Sequence, residues 1–173
     1  DGKHIVSGSG DRVVVWDAAT GVELMTLSGH QENVLAVAFS PDGRLLAVNN
    51  SYQDVSIIDF SGLLEGGREP ADLIKLKIPT QLDHMVSLGV DFSPDGKYLA
   101  TSSWDKTARI WDATSGEEIA RMNHGDRVVS IAFSPDGKYL ATASFDKSVR
   151  IWDAINGEEI IRMFHKDRVA SVA

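Results

Sequence analysis

The sequence predicts an all-β protein built from repeated units of four short strands. The first observation behind this is an internal repeat. Phe133 to Ala154 reads FSPDGKYLATASFDKSVRIWDA, and Phe92 to Ala113 reads FSPDGKYLATSSWDKTARIWDA, identical at 18 of 22 positions with an offset of 41 residues. Self-similarity at such a period is the signature of a repeat architecture. The second is the texture of each unit, in which short runs rich in Val, Ile, Leu and aromatics are bounded by Pro, Gly and Asp, the pattern of strands joined by turns. The third is that no window of useful length carries apolar residues at helical spacing.

The SPDG turns act as rulers. Asp42, Asp95 and Asp136 hold one place in the repeat and Asp1 holds it in a copy that lacks its head, at spacings of 41, 53 and 41 residues. The unit is therefore 41 residues, and one copy carries 12 extra. At the other end Asp167 to Ala173 copies Asp126 to Ala132, so the sequence stops three residues short of the phase on which it starts. The expected units are residues 1–30, 31–83, 84–123 and 124–165, with 166–173 opening another. All belong to a single array over 1–173.

The most regular copy justifies the elements in order. Strand a is expected over Arg127–Ser134. The turn Ser134-Pro135-Asp136-Gly137 follows, with Pro pre-setting one backbone angle, Asp bonding its own backbone and Gly accepting a left-handed exit. Strand b is expected over Lys138–Ser144, and Phe145-Asp146-Lys147 is a polar turn. Strand c is expected over Ser148–Asp153. Ala154-Ile155-Asn156-Gly157 turns into strand d at Glu158–Met163. The first unit lacks strand a and is one residue short between Asp11 and Trp16. The second is degraded: Val48, Tyr52 and Ile58 stand where the regular copy has Thr101, Asp105 and Trp111. It also carries an insertion at Phe60–Asp72, read as a surface loop or a dedicated contact. Its strand d is expected over Leu73–Ile78, stopped by Pro79.

The totals bound the function. With 173 residues, 43% hydrophobic and 24% charged, the composition is that of an ordinary globular domain. The net charge of −8 argues against nucleic acid, whose backbone demands a basic face. No apolar run reaches membrane-spanning length, so no membrane partner is expected. The sequence opens on Asp1-Gly2-Lys3 with no apolar core behind, so no leader is expected there. Zero Cys excludes disulfides and thiolate chemistry and suits a reducing compartment, so a cytoplasmic location is expected.

A 41-residue unit of four strands closing on Trp-Asp resembles the WD40 repeat. The matching residues are Trp16-Asp17, Trp111-Asp112, Trp152-Asp153, the SPDG turns and Gly29-His30. The resemblance implies a β-propeller, each unit forming one radial blade. The near-regular copies look most like tandem WD40 arrays of bacterial multidomain signalling proteins. About four blades are few for a ring, so the chain is expected to be part of a larger one, closed by the remainder of a longer chain or by a homodimer. The family resemblance also implies a hydrogen-bonded tetrad in each blade, of His, Ser or Thr, Asp and Trp. One unit holds the whole set as His124, Thr142, Asp146 and Trp152. Another holds Thr101, Asp105 and Trp111, with His84 one place out of phase and Asp83 in its stead. The first holds Ser7, Asp11 and Trp16; the second has only His30. The chemistry is coherent, because an indole N–H only donates and a carboxylate only accepts, so a hydroxyl and an imidazole can relay between them. The degraded unit is expected to pack Val48 and Ile58 as plain apolar core and to be the least rigid.

No metal, cofactor or catalytic residue is expected. His30, His124 and His165 recur in phase, and a ring would hold them too far apart to converge on one ion. The repeated carboxylates are explained by repetition, and no phosphate loop or nucleophile elbow is present. An enzyme would need convergent polar groups in the central channel, where Leu35, Val37, Val129 and Ile131 are expected. The aromatic position before the tetrad Asp is more informative. Trp104, Phe145 and Tyr52 mark the b–c turns, which the resemblance places on the top face. Arg127 and Arg168 fall near the start of strand a on the same rim. Exposed aromatics of this kind serve either as interface anchors or as edge packing against the next blade. Arg127 and Arg168 together with Trp104 and Phe145 would suit an acidic or carboxylate-bearing peptide. The expected function is a non-catalytic protein-interaction scaffold or sensor module of a larger protein. The alternative is a structural unit that assembles with its own copies.

Overall fold

The computed structural model describes residues 2–28, 33–50, 54–60, 72–77 and 87–173. Among them there is no helix, and the strands form antiparallel sheets in which sequence neighbours are spatial neighbours. The first sheet has three strands, β1 (His4–Ser9), β2 (Arg12–Asp17) and β3 (Glu23–Leu27). The second has β4 (Val34–Phe39), β5 (Leu45–Asn50), β6 (Asp54–Asp59) and β7 (Asp72–Lys77). The third has β8 (Ser87–Phe92), β9 (Tyr98–Ser103), β10 (Thr107–Asp112) and β11 (Glu118–Asn123). The fourth has β12 (Val128–Phe133), β13 (Tyr139–Ser144), β14 (Ser148–Asp153) and β15 (Glu159–Phe164). The all-β expectation is met.

The turns form as their residues dictate. Ser134 Oγ donates to Asp136 Oδ1 at 2.6 Å and accepts the Tyr139 N–H at 3.0 Å. Asp136 in turn accepts the Lys138 N–H at 3.1 Å. Gly137 sits at φ 72°, a conformation that costs any other residue steric strain. The turn from β8 to β9 repeats the geometry, with Ser93 on Asp95 at 2.7 Å. These turns also touch one another: a Cβ on Gly137 would meet the Pro94 ring at 3.4 Å.

The second, third and fourth sheets are each covered, on the face that carries the Trp position, by the sheet before it. Trp152, Leu140, Val128 and Ile131 of the fourth sheet bury against Ala108, Ile110 and Met122 of the third. Trp111 and Leu99 of the third bury against Val55 and Ile57 of the second. Ile58, Leu46 and Val48 of the second bury against Val13, Val15 and Leu27 of the first. In the degraded second sheet Val48 and Ile58 are therefore plain apolar core, as expected.

A bulge in the first strand of the second, third and fourth sheets corrects one expectation. Register shifts fall between Val34 and Ala36, between Ser87 and Gly89, and between Val128 and Ser130. One extra residue re-aims the strand. Strict alternation would put Val129 and Ile131 on one side; the bulge instead puts Val128 and Ile131 on the core side. Val37 and Ile131, expected to line a central channel, thus pack between sheets, and Leu35 is exposed. The expectation also missed Asp91 on β8, whose carboxylate accepts the Phe133 N–H of the next sheet at 2.8 Å.

Leu140 is fully buried, whereas Ile5, at the same place in the first sheet, is 54% exposed. Leu140→Ala should cost about 2–5 kcal/mol through lost burial and the cavity left behind. Ile5→Ala should cost less than about 1 kcal/mol. Urea denaturation of the two variants checks the contrast.

Candidate functional site

Trp152 pairs with Leu140 across β13 and β14, and Thr142 pairs with Arg150, so these four side chains share one face. The Trp152 indole N–H donates to Thr142 Oγ1 at 2.8 Å. His124 lies just ahead of β12; its Nε2 is 2.8 Å from the same hydroxyl, and its Nδ1 is 3.0 Å from Asp146 Oδ2. A carboxylate only accepts, so Nδ1 carries the proton and Nε2 accepts from Thr142. The hydroxyl thus relays between indole and imidazole. The His124 ring also meets Trp152 edge-on, with centroids 5.6 Å apart. The third sheet repeats part of this, Trp111 donating to Thr101 Oγ1 at 3.0 Å, and the first sheet repeats the Trp16–Ser7 bond at 2.9 Å.

Two arginines that sequence reasoning missed complete the networks. Arg150 Nη2 donates to Asp146 Oδ2 at 2.6 Å, and Nε donates to Ser148 Oγ at 3.0 Å. Its Nη1 donates to Glu159 Oε2 and to the Asn123 carbonyl of the third sheet, both at 3.1 Å. Arg109, 2% exposed, repeats the pattern with Asp105 at 2.5 Å and Thr107 at 3.0 Å. A buried guanidinium is costly unless its fork is matched by acceptors, and here carboxylates, hydroxyls and a carbonyl supply them. The signal was present: Arg stands two residues before Trp-Asp in both regular copies, where the first two units have Val14 and Ser56.

Electrostatics follow from these contacts. Burial raises the Asp146 pKa, but the Ser148 hydroxyl, the Gly125 N–H at 2.9 Å and His124 outweigh it and hold the carboxyl well below the usual range. Burial, with the Arg150 charge behind it, lowers His124 below its ordinary 6.5. Burial raises Asp91, against the pull of the Phe133 N–H. His165, by contrast, is exposed. His4 packs edge-on against Phe60 with centroids 5.9 Å apart.

Above the network lies a rim of stacked pairs. The Arg127 guanidinium covers the Trp104 ring at 4.1 Å from its centroid, and Arg168 covers Phe145 at 5.0 Å. Each pair joins the β-turn of one sheet to the lead-in of the next strand array. The rings are half-buried and the two arginines exposed. The two rings thus lie beneath exposed cations. Lys106 and Lys147 occupy the same turns at φ 72° and 70°, a region that non-glycine residues enter at a cost. Tyr52, His30, Asp83, His84 and residues 61–71 of the insertion lie outside the described residues. No group of His, Asp and Glu that could hold a metal occurs among the described residues.

A family model described as WD domain, G-beta repeat matches residues 21–56, 80–112 and 116–153. The chain is 30% identical over 122 residues to the Periodic tryptophan protein 2 homolog of Schizosaccharomyces pombe, covering 68% of this chain and 13% of that protein. It is 33% identical over 119 residues to the Guanine nucleotide-binding protein subunit beta of Zea mays, covering 67% and 30%. With the Nuclear distribution protein PAC1 of Coccidioides posadasii it shares 29% over 123 residues, covering 65% and 26%. The chain thus spans less than a third of the length of each of these relatives.

The lowered pKa of His124 has a definite sign. The unfolded chain takes up the proton first as pH falls below 6.5, so this group's contribution is whole above 6.5 and is lost as pH falls toward its folded value. Stability of the wild-type chain relative to His124→Gln should therefore fall between pH 7.5 and 5.5, with a slope of at most about 1.4 kcal/mol per pH unit. Denaturant titrations at a series of pH values measure it; parallel curves for the two proteins would count against the buried neutral imidazole.

Proposed function

The chain belongs to the WD40 repeat family, and from that premise we propose that it is a non-catalytic scaffold or sensor module that binds acidic peptide segments on its Arg–aromatic rim. WD40 proteins generally serve as non-catalytic protein-interaction scaffolds, which supports the broad class. The observation that carries the finer reading is the repeated stack, Arg127 on Trp104 and Arg168 on Phe145. Stacking uses the flat face of a guanidinium and fixes its plane. The N–H donors lie around its edge, in the fork that matches a carboxylate, and both arginines are exposed. Among the described residues neither Arg127 nor Arg168 forms an ion pair, whereas the buried Arg109 and Arg150 are held by Asp105 and Asp146. Asp126, next in sequence to Arg127, is engaged by the Arg127 backbone N–H at 2.8 Å. Lys106 and Lys147 are exposed in the same turns. The rim therefore carries these four cations, with the exposed Asp167 beside Arg168, on a chain of net charge −8.

In this reading the array works in the cytoplasm as one module of a larger, multidomain protein, with proteins or peptides rather than nucleic acid or membrane as partners. Tyr52 would extend the same rim. A second reading is a structural unit that completes a ring with further copies, a contact that would bury Ile161 and Ile5, 50% and 54% exposed.

Fluorescence anisotropy with a labelled Glu-rich peptide tests the first reading, with a Lys-rich peptide as control. Arg127→Ala and Trp104→Ala should each weaken the Glu-rich peptide about tenfold, the loss expected of an interface anchor. Binding should also weaken as salt is raised. Equal affinity of wild type and Arg127→Ala, or equal binding of both peptides, would overturn the rim as the site.

A further inference from the structure

We propose that Lys106 and Lys147 are binding residues held at a cost to the fold, and that with the stacked arginines they make each b–c turn a two-cation receptor for a peptide segment whose carboxylates are neighbours. The inference rests on the rim reading above. It adds two residues to that site and narrows its partner.

The starting observation is backbone strain gathered in one place. Among the described residues the left-handed positions are held by eight glycines and two lysines, Lys106 at φ 72° and Lys147 at φ 70°. Glycine enters that region freely, whereas a residue with a Cβ is strained there. The other hairpin turns of the third and fourth sheets use Gly96, Gly116, Gly137 and Gly157. The chain therefore places the unstrained residue at every other such position among those described. It departs from it twice, both times on the rim.

The fold needs the backbone conformation at these two places and not the side chain. The Lys106 carbonyl accepts the His124 N–H, and the Lys147 carbonyl accepts the His165 N–H, both at 2.8 Å. Glycine would present either carbonyl equally well. Both lysines are exposed, and among the described residues neither ammonium forms an ion pair or a hydrogen bond. The carboxylates next to them are engaged elsewhere: Arg109 holds Asp105, and Arg150 and His124 hold Asp146. An exposed side chain without contacts adds little to stability. What each lysine adds is a charge, placed where the surrounding structure enforces a strained backbone, a combination that clusters at functional sites.

The chemistry of the turn names what the charge would meet. Trp104-Asp105-Lys106 joins β9 to β10, and Phe145-Asp146-Lys147 joins β13 to β14. Arg127 covers Trp104 and Arg168 covers Phe145. Each turn thus carries an ammonium two residues along the chain from the ring that supports a guanidinium. The guanidinium offers a planar fork to one carboxylate, and the ammonium is a compact charge on a flexible stem that takes another. A lone acidic residue fills half of this pair, and neighbouring acidic residues fill both halves.

Anisotropy with the labelled Glu-rich peptide and urea denaturation of the same variants test the inference together. Lys106→Gly and Lys147→Gly should each weaken the peptide about threefold, the size expected of an exposed charge pair. Their urea midpoints should stay level or rise, because relief of strain offsets the added freedom of glycine in the unfolded chain. Lys106→Gln and Lys147→Gln keep the strain and lose the charge, and they should weaken binding equally. A peptide with as many Glu set apart by Gly and Ser should bind the wild-type chain more weakly. Unchanged affinity in the lysine variants, with Arg127→Ala still weakening the peptide, would overturn this inference and leave the rim standing. So would a lowered urea midpoint in the glycine variants, since the side chain would then serve the fold. Equal binding of the two Glu peptides would overturn the need for neighbouring carboxylates. A wild-type chain that does not bind the Glu-rich peptide would overturn the rim itself.

Discussion

Sheets of this protein are apolar on both faces, so a single sheet cannot bury its own side chains and must be covered by a neighbour on each side. Inside the array the requirement is met three times by the same device, the Trp-bearing face of one sheet laid on the sheet before it. Everything of functional interest falls at these joints. The stacked pairs of the rim bridge them, and the Arg150 to Asn123 bond crosses one.

The polar network shows how such a joint is made specific. Asp146 gathers an imidazole, a hydroxyl, two backbone N–H groups and a guanidinium. Removing one member would strand the others in a medium where an unpaired polar group is expensive. The second sheet illustrates the other solution. It has lost the Thr and the Trp, and Val48 and Ile58 fill their places as hydrocarbon. Replacing a buried polar set wholesale by apolar residues of similar size is often neutral or stabilising, whereas replacing part of it is not. Asn49 beside them keeps the cost of partial change, fully buried with neither amide atom hydrogen-bonded.

On the rim, structural and functional uses of one side chain are compatible. The ring of Trp104 is spent on Arg127, so it is not a free anchor for a partner. That contact in turn holds a guanidinium over the ring, 4.1 Å from its centroid, at little further entropic cost to a partner. Burial of one set of arginines and exposure of the other also follows from register. Arg150 lies on a strand interior opposite Thr142, and Arg127 lies just before a strand begins.

The repeat, the strand and turn order, and the phase of His124, Thr142, Asp146 and Trp152 were all legible in the amino-acid sequence, because turn chemistry and strand alternation act over a few residues and recur every 41. Three features were not. Arg109 and Arg150 fall by alternation on the same side as Trp111 and Trp152, but nothing local says that this side holds carboxylates able to match a buried guanidinium. The inward turn of Val128 and Val34 depends on a bulge, a one-residue slip that reverses which side chains face the core. The covering of Trp104 depends on Arg127, which follows it at a distance along the chain and meets it only when the next sheet docks. Local chemistry therefore determined the sheets, and the tertiary structure decided what each face and each rim residue meets, because those contacts exist only between sheets.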